Sequence, residues 1–215
     1  MSLILSIGSS AFASGTTKKG NLTQAFLDAS DNTIVCYMDG YAIRKNQVDE
    51  NGVIKQEAIQ NIEQSKFARS GTPTPVYDIL TDGYTNAIVR NVLVAPRYSQ
   101  TNTIYYFTEE NAEEFASSIQ YSTLANFFIW VTGFIPKVGT FVALTMGVNR
   151  LYKSSVATQI TDLTNNHHNV KISEASSSFG VFYGVFEWSG RAFATHNIYD
   201  SVSIYETVEN VQISK

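Results

Sequence analysis

Three histidines, His167, His168 and His196, are the first candidates for chemistry in this sequence. His196 lies four residues before Asp200. Imidazole and carboxylate are ligands for zinc and partners in general acid–base catalysis, so a hydrolase would need His196 and Asp200 to converge with His167 or His168. The spacing fits no metal-binding or catalytic motif. We therefore expect solvated loop histidines, and the sequence predicts no catalytic residue, no metal ligand and no cofactor.

Two other sets of reactive side chains have structural explanations. Four carboxylates follow Thr108, a favourable N-cap residue, and the helix dipole favours negative charge in a first turn; they are Glu109, Glu110, Glu113 and Glu114. The single cysteine, Cys36, lies in an apolar run and has no basic neighbour in sequence. We expect it to be a buried, unreactive thiol, and a lone cysteine excludes an internal disulfide.

The composition is that of a chain with a substantial core and little charge. Hydrophobic residues make up 44% of the 215 residues and charged residues 16%, below the roughly 25% of typical soluble domains. The net charge is -4, and the lysines and arginines are dispersed along the chain. A nucleic-acid partner is therefore not expected, because it requires clustered basic residues. The uncharged polar surface is typical of extracellular proteins.

The first residues resemble the later part of a secretory signal peptide. A short apolar run, Leu3–Gly8, precedes Ala11-Phe12-Ala13, which has the small-residue pattern of a cleavage site. We expect residues 1–13 to be a signal-peptide remnant and the protein to be secreted. Prolines and a glycine at 71–75 predict a boundary between an N-terminal α/β subdomain, residues 14–70, and a main α+β domain, residues 76–215.

Strand patterns are clearest on both sides of residue 109. Alternation or β-branched runs predict strands at Asn32–Met38, Tyr41–Arg44 and Asn169–Glu174. Phe179–Trp188 is apolar at both odd and even positions, which predicts a strand covered on both faces. Helical spacing predicts a modest amphipathic helix from Val53 to Phe67.

One long segment departs from an ordinary globular pattern. From Phe115 to Asn149 the only charge is Lys137. Gly133 and Pro136 divide the segment, so the sequence predicts a helical hairpin over residues 109–164. The expected fold class is therefore α+β, with antiparallel sheet elements flanking a long central apolar helical hairpin. Its candidate membrane or interface residues are Phe127, Phe128, Trp130, Val131, Gly133, Gly139, Ala143 and Gly147.

Two functions follow from that segment. The first is an exported bacterial protein that acts by binding, as a membrane-active antimicrobial whose hairpin inserts into a target-cell membrane or meets a surface protein. The arrangement resembles secreted bacterial toxins and large bacteriocins, although no motif residue is shared. The alternative is a secreted binding or structural module in which the hairpin is plain core. A helix that spans a membrane needs about 20 apolar residues, and each arm of the hairpin is shorter. Shallow insertion therefore fits better than a full crossing.

Overall fold

The centre of the molecule is a five-stranded antiparallel sheet. The structure is a computed structural model, and it describes residues 22–38, 41–59, 61, 75–78, 83, 85–94, 99–121, 155–193 and 205–214. Within these ranges the helices are α1 (Gln24–Asp28), α2 (Glu109–Tyr121) and α3 (Val156–Thr164), residues 56–59 are also helical, and Lys45–Gln47 form a 3-10 turn. The strands are β1 (Ile34–Met38), β2 (Tyr41–Arg44), β3 (Pro75–Asp78), β4 (Asn86–Val94), β5 (Ser99–Phe107), β6 (Asn169–Ser177), β7 (Gly180–Trp188), β8 (Arg191–Phe193) and β9 (Tyr205–Ser214).

The strand order of the main sheet is β7-β6-β5-β4-β9, and every neighbouring pair is antiparallel. Two further pairs, β1 with β2 and β3 with β8, form separate two-stranded ribbons. The turn from β6 to β7 brings Ser177 opposite Gly180, so the two strands form a hairpin. Strands that follow one another in sequence therefore form most of the sheet, and β9 is added beside β4 as an edge strand.

The predicted fold class is wrong in its central feature. Strands from before and after the helical segment pair directly, with Phe107 of β5 opposite Val170 of β6. They form one continuous sheet, so the sheet and not a helical hairpin is the centre of the fold. The physical reason is that strand backbones satisfy their polar groups in a neighbouring ladder, and β5 and β6 supply that ladder to each other. The described ends of the segment between them, α2 and α3, lie on one face of the sheet.

The helices α2 and α3 form a layer on that face. They contact each other, and α3 also lies against β6 and β7. Their buried apolar side chains share one core with the sheet: Ala112, Phe115, Ala116 and Ile119 of α2, and Val156, Ala157 and Ile160 of α3, with Tyr105, Phe107, Val170, Ile172, Val181, Tyr183 and Val185 of the strands. None of the helices within the described residues combines the length and apolar character needed to cross a bilayer.

The N-terminal segment covers the opposite face of the sheet. Phe182 and Phe186 of β7 and Ala175 of β6 are buried there with side chains of α1, β1, β2 and residues 48–59. Alternate β7 residues therefore enter two different cores, and the prediction of a strand covered on both faces is confirmed. The molecule has three layers in its described part: helices, central sheet and N-terminal layer.

The outer edge of β7 is also covered by the N-terminal layer. Thr23 N donates to Phe179 O over 3.0 Å, and Tyr183 exchanges two 2.8 Å backbone bonds with Gly52 O and Ile54 N. An open edge would present unpaired backbone groups to other chains. The predicted domain boundaries, including residues 1–13 and the break at 71–74, lie outside the described residues and stay predictions.

Candidate binding site

Three polar side chains lie on the helix-facing side of the sheet, and a fourth, on α3, is linked to them through the backbone of Ile54. Tyr105 comes from β5, Glu174 from β6, Tyr183 from β7 and Gln159 from α3. Glu174 is directly opposite Tyr183 in the strand register. Tyr105 is the diagonal neighbour of Glu174, two positions beyond its β5 partner Thr103. We call these four residues the interlayer cluster.

Strand alternation explains why the cluster faces the helices. Glu174 has the same parity as Val170 and Ile172, both of which are fully buried against the helices. Tyr183 has the same parity as Val181 and Val185 on β7. A two-residue period therefore puts a carboxyl and a phenol on an apolar face.

The Tyr105 phenol is kept protonated by its surroundings. Burial raises the pKa of Tyr105 well above its ordinary value, and the neighbouring Glu174 carboxyl and Tyr183 phenol raise it further, since each is negatively charged when ionised. Both effects disfavour the phenolate, because a second negative charge in a buried site is poorly solvated and repelled. At neutral pH Tyr105 is therefore a hydrogen-bonding group and a poor proton acceptor.

Gln159 supplies an unused hydrogen-bond acceptor. Its side chain is only 8% exposed, and its Nε2 donates to Ile54 O over 3.0 Å. That bond fixes the orientation of the amide, and the Oε1 atom has no hydrogen-bond partner. A buried acceptor without a partner costs about 1–3 kcal/mol, so native structures seldom keep one without a water, an ion or a ligand to satisfy it.

The loop of residues 49–56 joins the cluster to the N-terminal layer. Ile54 binds Tyr183 through its N–H and Gln159 through its carbonyl oxygen. Ser155, just before α3, donates to Asp49 Oδ2 over 3.4 Å. A second buried amide oxygen without a partner, Gln56 Oε1, lies two residues after Ile54. The cluster is therefore bounded by the sheet, by α3 and by this loop.

The cluster is chemically suited to binding and not to covalent chemistry. A carboxylate and an amide oxygen accept hydrogen bonds, and a protonated phenol both donates and accepts. A small polar molecule with at least one donor group would satisfy Gln159 Oε1. Within the described ranges, no three His, Cys, Asp or Glu side chains lie close enough together to hold a metal ion.

The structure places two of the three histidines at one end of the sheet, away from this cluster. His167 Nδ1 lies 2.8 Å from Glu109 Oε1, and His168 Nδ1 lies 3.2 Å from Glu187 Oε1. The His167 side chain is 86% exposed. The two imidazoles thus meet different carboxylates on different elements and do not converge on one substrate. His196 and Asp200 lie outside the described residues, so the convergence that a hydrolase would require there stays a hypothesis.

Of the other residues that the sequence analysis named, some lie within the described residues and some do not. Cys36 is free and fully buried, as predicted, and burial raises the pKa of its thiol well above the ordinary value. The eight candidate membrane or interface residues all lie outside the described residues: Phe127, Phe128, Trp130, Val131, Gly133, Gly139, Ala143 and Gly147. Their role stays a prediction.

Sequence reasoning missed Glu174 and Gln159 as candidates, although a signal was present for each. Glu174 continues the buried parity of Val170 and Ile172 with a charged residue. Gln159 adjoins Ile160 within the amphipathic helix, next to its apolar stripe. A polar residue at a core position is the informative exception in such patterns.

Comparison with known proteins gives no relative for this chain. No protein-family model, no curated protein and no solved structure matches it.

Proposed function

We propose that the protein is an exported binding protein that receives a small polar ligand at the interlayer cluster. The observation that carries the proposal is Gln159 Oε1. This acceptor has no hydrogen-bond partner, and its residue is only 8% exposed. A ligand donor at this atom would recover the free energy that the isolated acceptor costs. Glu174 and Tyr105 lie on the same side of the sheet and offer further partners.

The state of the acidic groups supports binding over catalysis. Tyr105 stays a neutral phenol and Cys36 a neutral thiol, because burial raises both pKa values. A general base or a thiolate nucleophile needs the opposite change. The histidine–glutamate pairs are exposed and separate, so they supply no oriented acid–base pair.

The first test measures ligand-induced stabilisation. Ethanolamine, glycerol and acetamide serve as probes, since each is small and carries N–H or O–H donors. We expect at least one of them to raise the Tm of the wild type in a concentration-dependent way, because a ligand that binds only the folded state stabilises it. In Gln159→Leu, which removes the acceptor, that increase should disappear.

The matched control is Gln24→Leu, which replaces an exposed amide on α1 that donates to Asp28 Oδ1 over 2.8 Å. It should keep the full ligand response. If no probe changes the wild-type Tm, or if Gln159→Leu responds like the wild type, the interlayer cluster is not the binding site and the proposal is wrong.

A second candidate, membrane-directed antimicrobial action, is supported by one feature of the sequence. Between Phe115 and Asn149 the only charge is Lys137, so this segment must be shielded by protein or by lipid. Dye leakage from anionic liposomes tests it. Leakage that Ala143→Lys abolishes without loss of the fold would favour this candidate, and the absence of leakage at micromolar protein would remove it.

A further inference from the structure

Asn51 and Gly52 form the single Asn-Gly pair in the sequence. Asn51 is exposed, and Gly52 is buried with a φ of 85°. The pair lies in a turn in which Gly52 N donates to Asp49 O over 3.1 Å, and Asp49 Oδ1 accepts from the N–H groups of Asn51 and Val53. The turn is thus accessible to water on its Asn51 side and tightly held on its Gly52 side.

We propose that Asn51–Gly52 is a site of spontaneous deamidation, and that its isoaspartate product detaches this loop from β7. Asparagine is a chemically labile residue. The absence of a side chain at Gly52 removes the steric hindrance that a Cβ would place beside its backbone nitrogen, which reacts after its hydrogen bond to Asp49 O opens. No other asparagine in the chain is followed by glycine.

The reaction needs only water and base. Base removes the Gly52 amide proton, and the nitrogen attacks Asn51 Cγ. The C–N bond of the side-chain amide breaks, and ammonia leaves with a proton from the solvent. Water then opens the five-membered succinimide at one of its two carbonyls. The product is aspartate, or isoaspartate in which the side-chain methylene has become part of the main chain.

The structure around Gly52 is closely packed. A Cβ at Gly52 would lie 2.6 Å from Val181 O, which is closer than carbon and oxygen approach without displacement. Gly52 O accepts from Tyr183 N, and Ile54 N donates to Tyr183 O, each over 2.8 Å. One added methylene shifts the register of these two bonds, so they cannot both be kept. The new carboxylate also lies beside the Asp49 carboxylate, which repels it.

Detachment of this loop affects both the outer edge of β7 and the interlayer cluster. The loop covers part of the outer edge of β7 and carries Ile54, the partner of Gln159. Its release uncovers backbone groups of an edge strand, a feature that promotes association between chains.

The first experiment follows the intact protein in mildly alkaline buffer at physiological temperature. Peptide mapping by mass spectrometry measures amide loss at each asparagine, and enzymatic methylation detects isoaspartate. We expect Asn51 to deamidate several-fold faster than Asn32 and Asn166, which are exposed but are followed by Thr33 and His167. An equal rate at the three positions would overturn the site.

The second experiment measures what the modification does. The isoaspartate form, separated by ion exchange, should have a lower Tm than fresh protein, and amide hydrogen exchange should accelerate at Tyr183. Asn51→Gln should keep its Tm through the same incubation. Fresh Asn51→Asp adds the charge without lengthening the main chain, so it should lose less stability than isoaspartate. An isoaspartate form with the Tm and exchange rate of fresh protein would overturn the proposed detachment.

Discussion

The side chain of Gln100 joins the sheet to the N-terminal layer through two hydrogen bonds to the backbone of Tyr37. Its Oε1 accepts from Tyr37 N over 2.8 Å, and its Nε2 donates to Tyr37 O over 2.6 Å. The side-chain amide therefore gives the Tyr37 backbone the two bonds that a neighbouring strand would provide. Gln100 is 2% exposed, so both bonds are made away from water.

Replacement of Gln100 by leucine should destabilise the protein by about 1–3 kcal/mol, since it removes the buried hydrogen bond that Gln100 Oε1 accepts from Tyr37 N. Tyr37 O keeps a 3.2 Å bond from Asn102 Nδ2, which limits the loss. Urea unfolding measures the change in the free energy of unfolding. The exposed variant Gln24→Leu should change it by less than about 0.5 kcal/mol. Equal effects of the two variants would contradict this role for Gln100.

At the scale of an element, the C-terminal end of α3 has a histidine at a position that usually carries glycine. His167 N donates to Thr164 O and His168 N to Leu163 O, which is the bond pattern of a Schellman motif. The position that normally carries glycine is His167, with a φ of 61°. Left-handed backbone costs a residue with a Cβ about 1–2 kcal/mol. The ion pair with Glu109 is exposed and offsets only a small part of this cost.

We expect His167→Gly to be more stable than His167→Ala by about 1 kcal/mol, because glycine tolerates this conformation and alanine does not. Both variants lack the contact with Glu109, so their difference isolates the backbone. Thermal unfolding of the pair measures it. If the alanine variant is equally stable, the His167 backbone is not strained in the way described here.

At the scale of the whole molecule, the three layers bury acidic groups in their neutral forms. Cys36 and Tyr105 have ordinary pKa values of 9.0 and 10.0, and burial raises both. Below about pH 9 the folded and unfolded chains both hold these protons, so the free energy of unfolding is unaffected. At higher pH the unfolded chain releases them while the folded chain retains them, and stability falls as pH rises.

The slope is about 1.4 kcal/mol per pH unit for each such group, from the linkage between proton binding and folding. Tyr105→Phe removes one group, so its stability should fall less steeply above about pH 10 than that of the wild type. Cys36→Ala should do the same from about pH 9. Urea unfolding at a series of pH values measures the slopes. Wild-type slopes in both variants would contradict the assignment.

Local patterns predicted much of the described secondary structure. The β1–β2 pair, the strands β6 and β7, and the start of α2 after Thr108 all agree with the sequence analysis. The prediction of a helix from Val53 was wrong at its start. Val53 forms a bridge to Tyr183 of β7, and Ile54 forms one to Val48, which follows the 3-10 turn. Those bridges are contacts with distant residues, which periodicity does not contain.

The candidate site could be predicted only in part. The burial of Cys36 and the exposure of His167 followed from their neighbours in sequence. Glu174 and Tyr183 are neighbours only because β6 pairs with β7, and Gln159 is linked to them only through Ile54. Nothing in their spacing along the chain brings them together. Membrane action and export stay predictions of the sequence.

By itself, the sequence determined the periodicities: which residues alternate, where turns and caps lie, and which long segment lacks charge. These depend on neighbours a few residues apart, where sterics and hydrogen bonding act directly. Only the tertiary structure decided that β5 pairs with β6 across the helical segment and that β7 enters two cores. Strand pairing depends on hydrogen bonds and side-chain packing between distant residues, so a local pattern fixes which residues form a strand but not its partner.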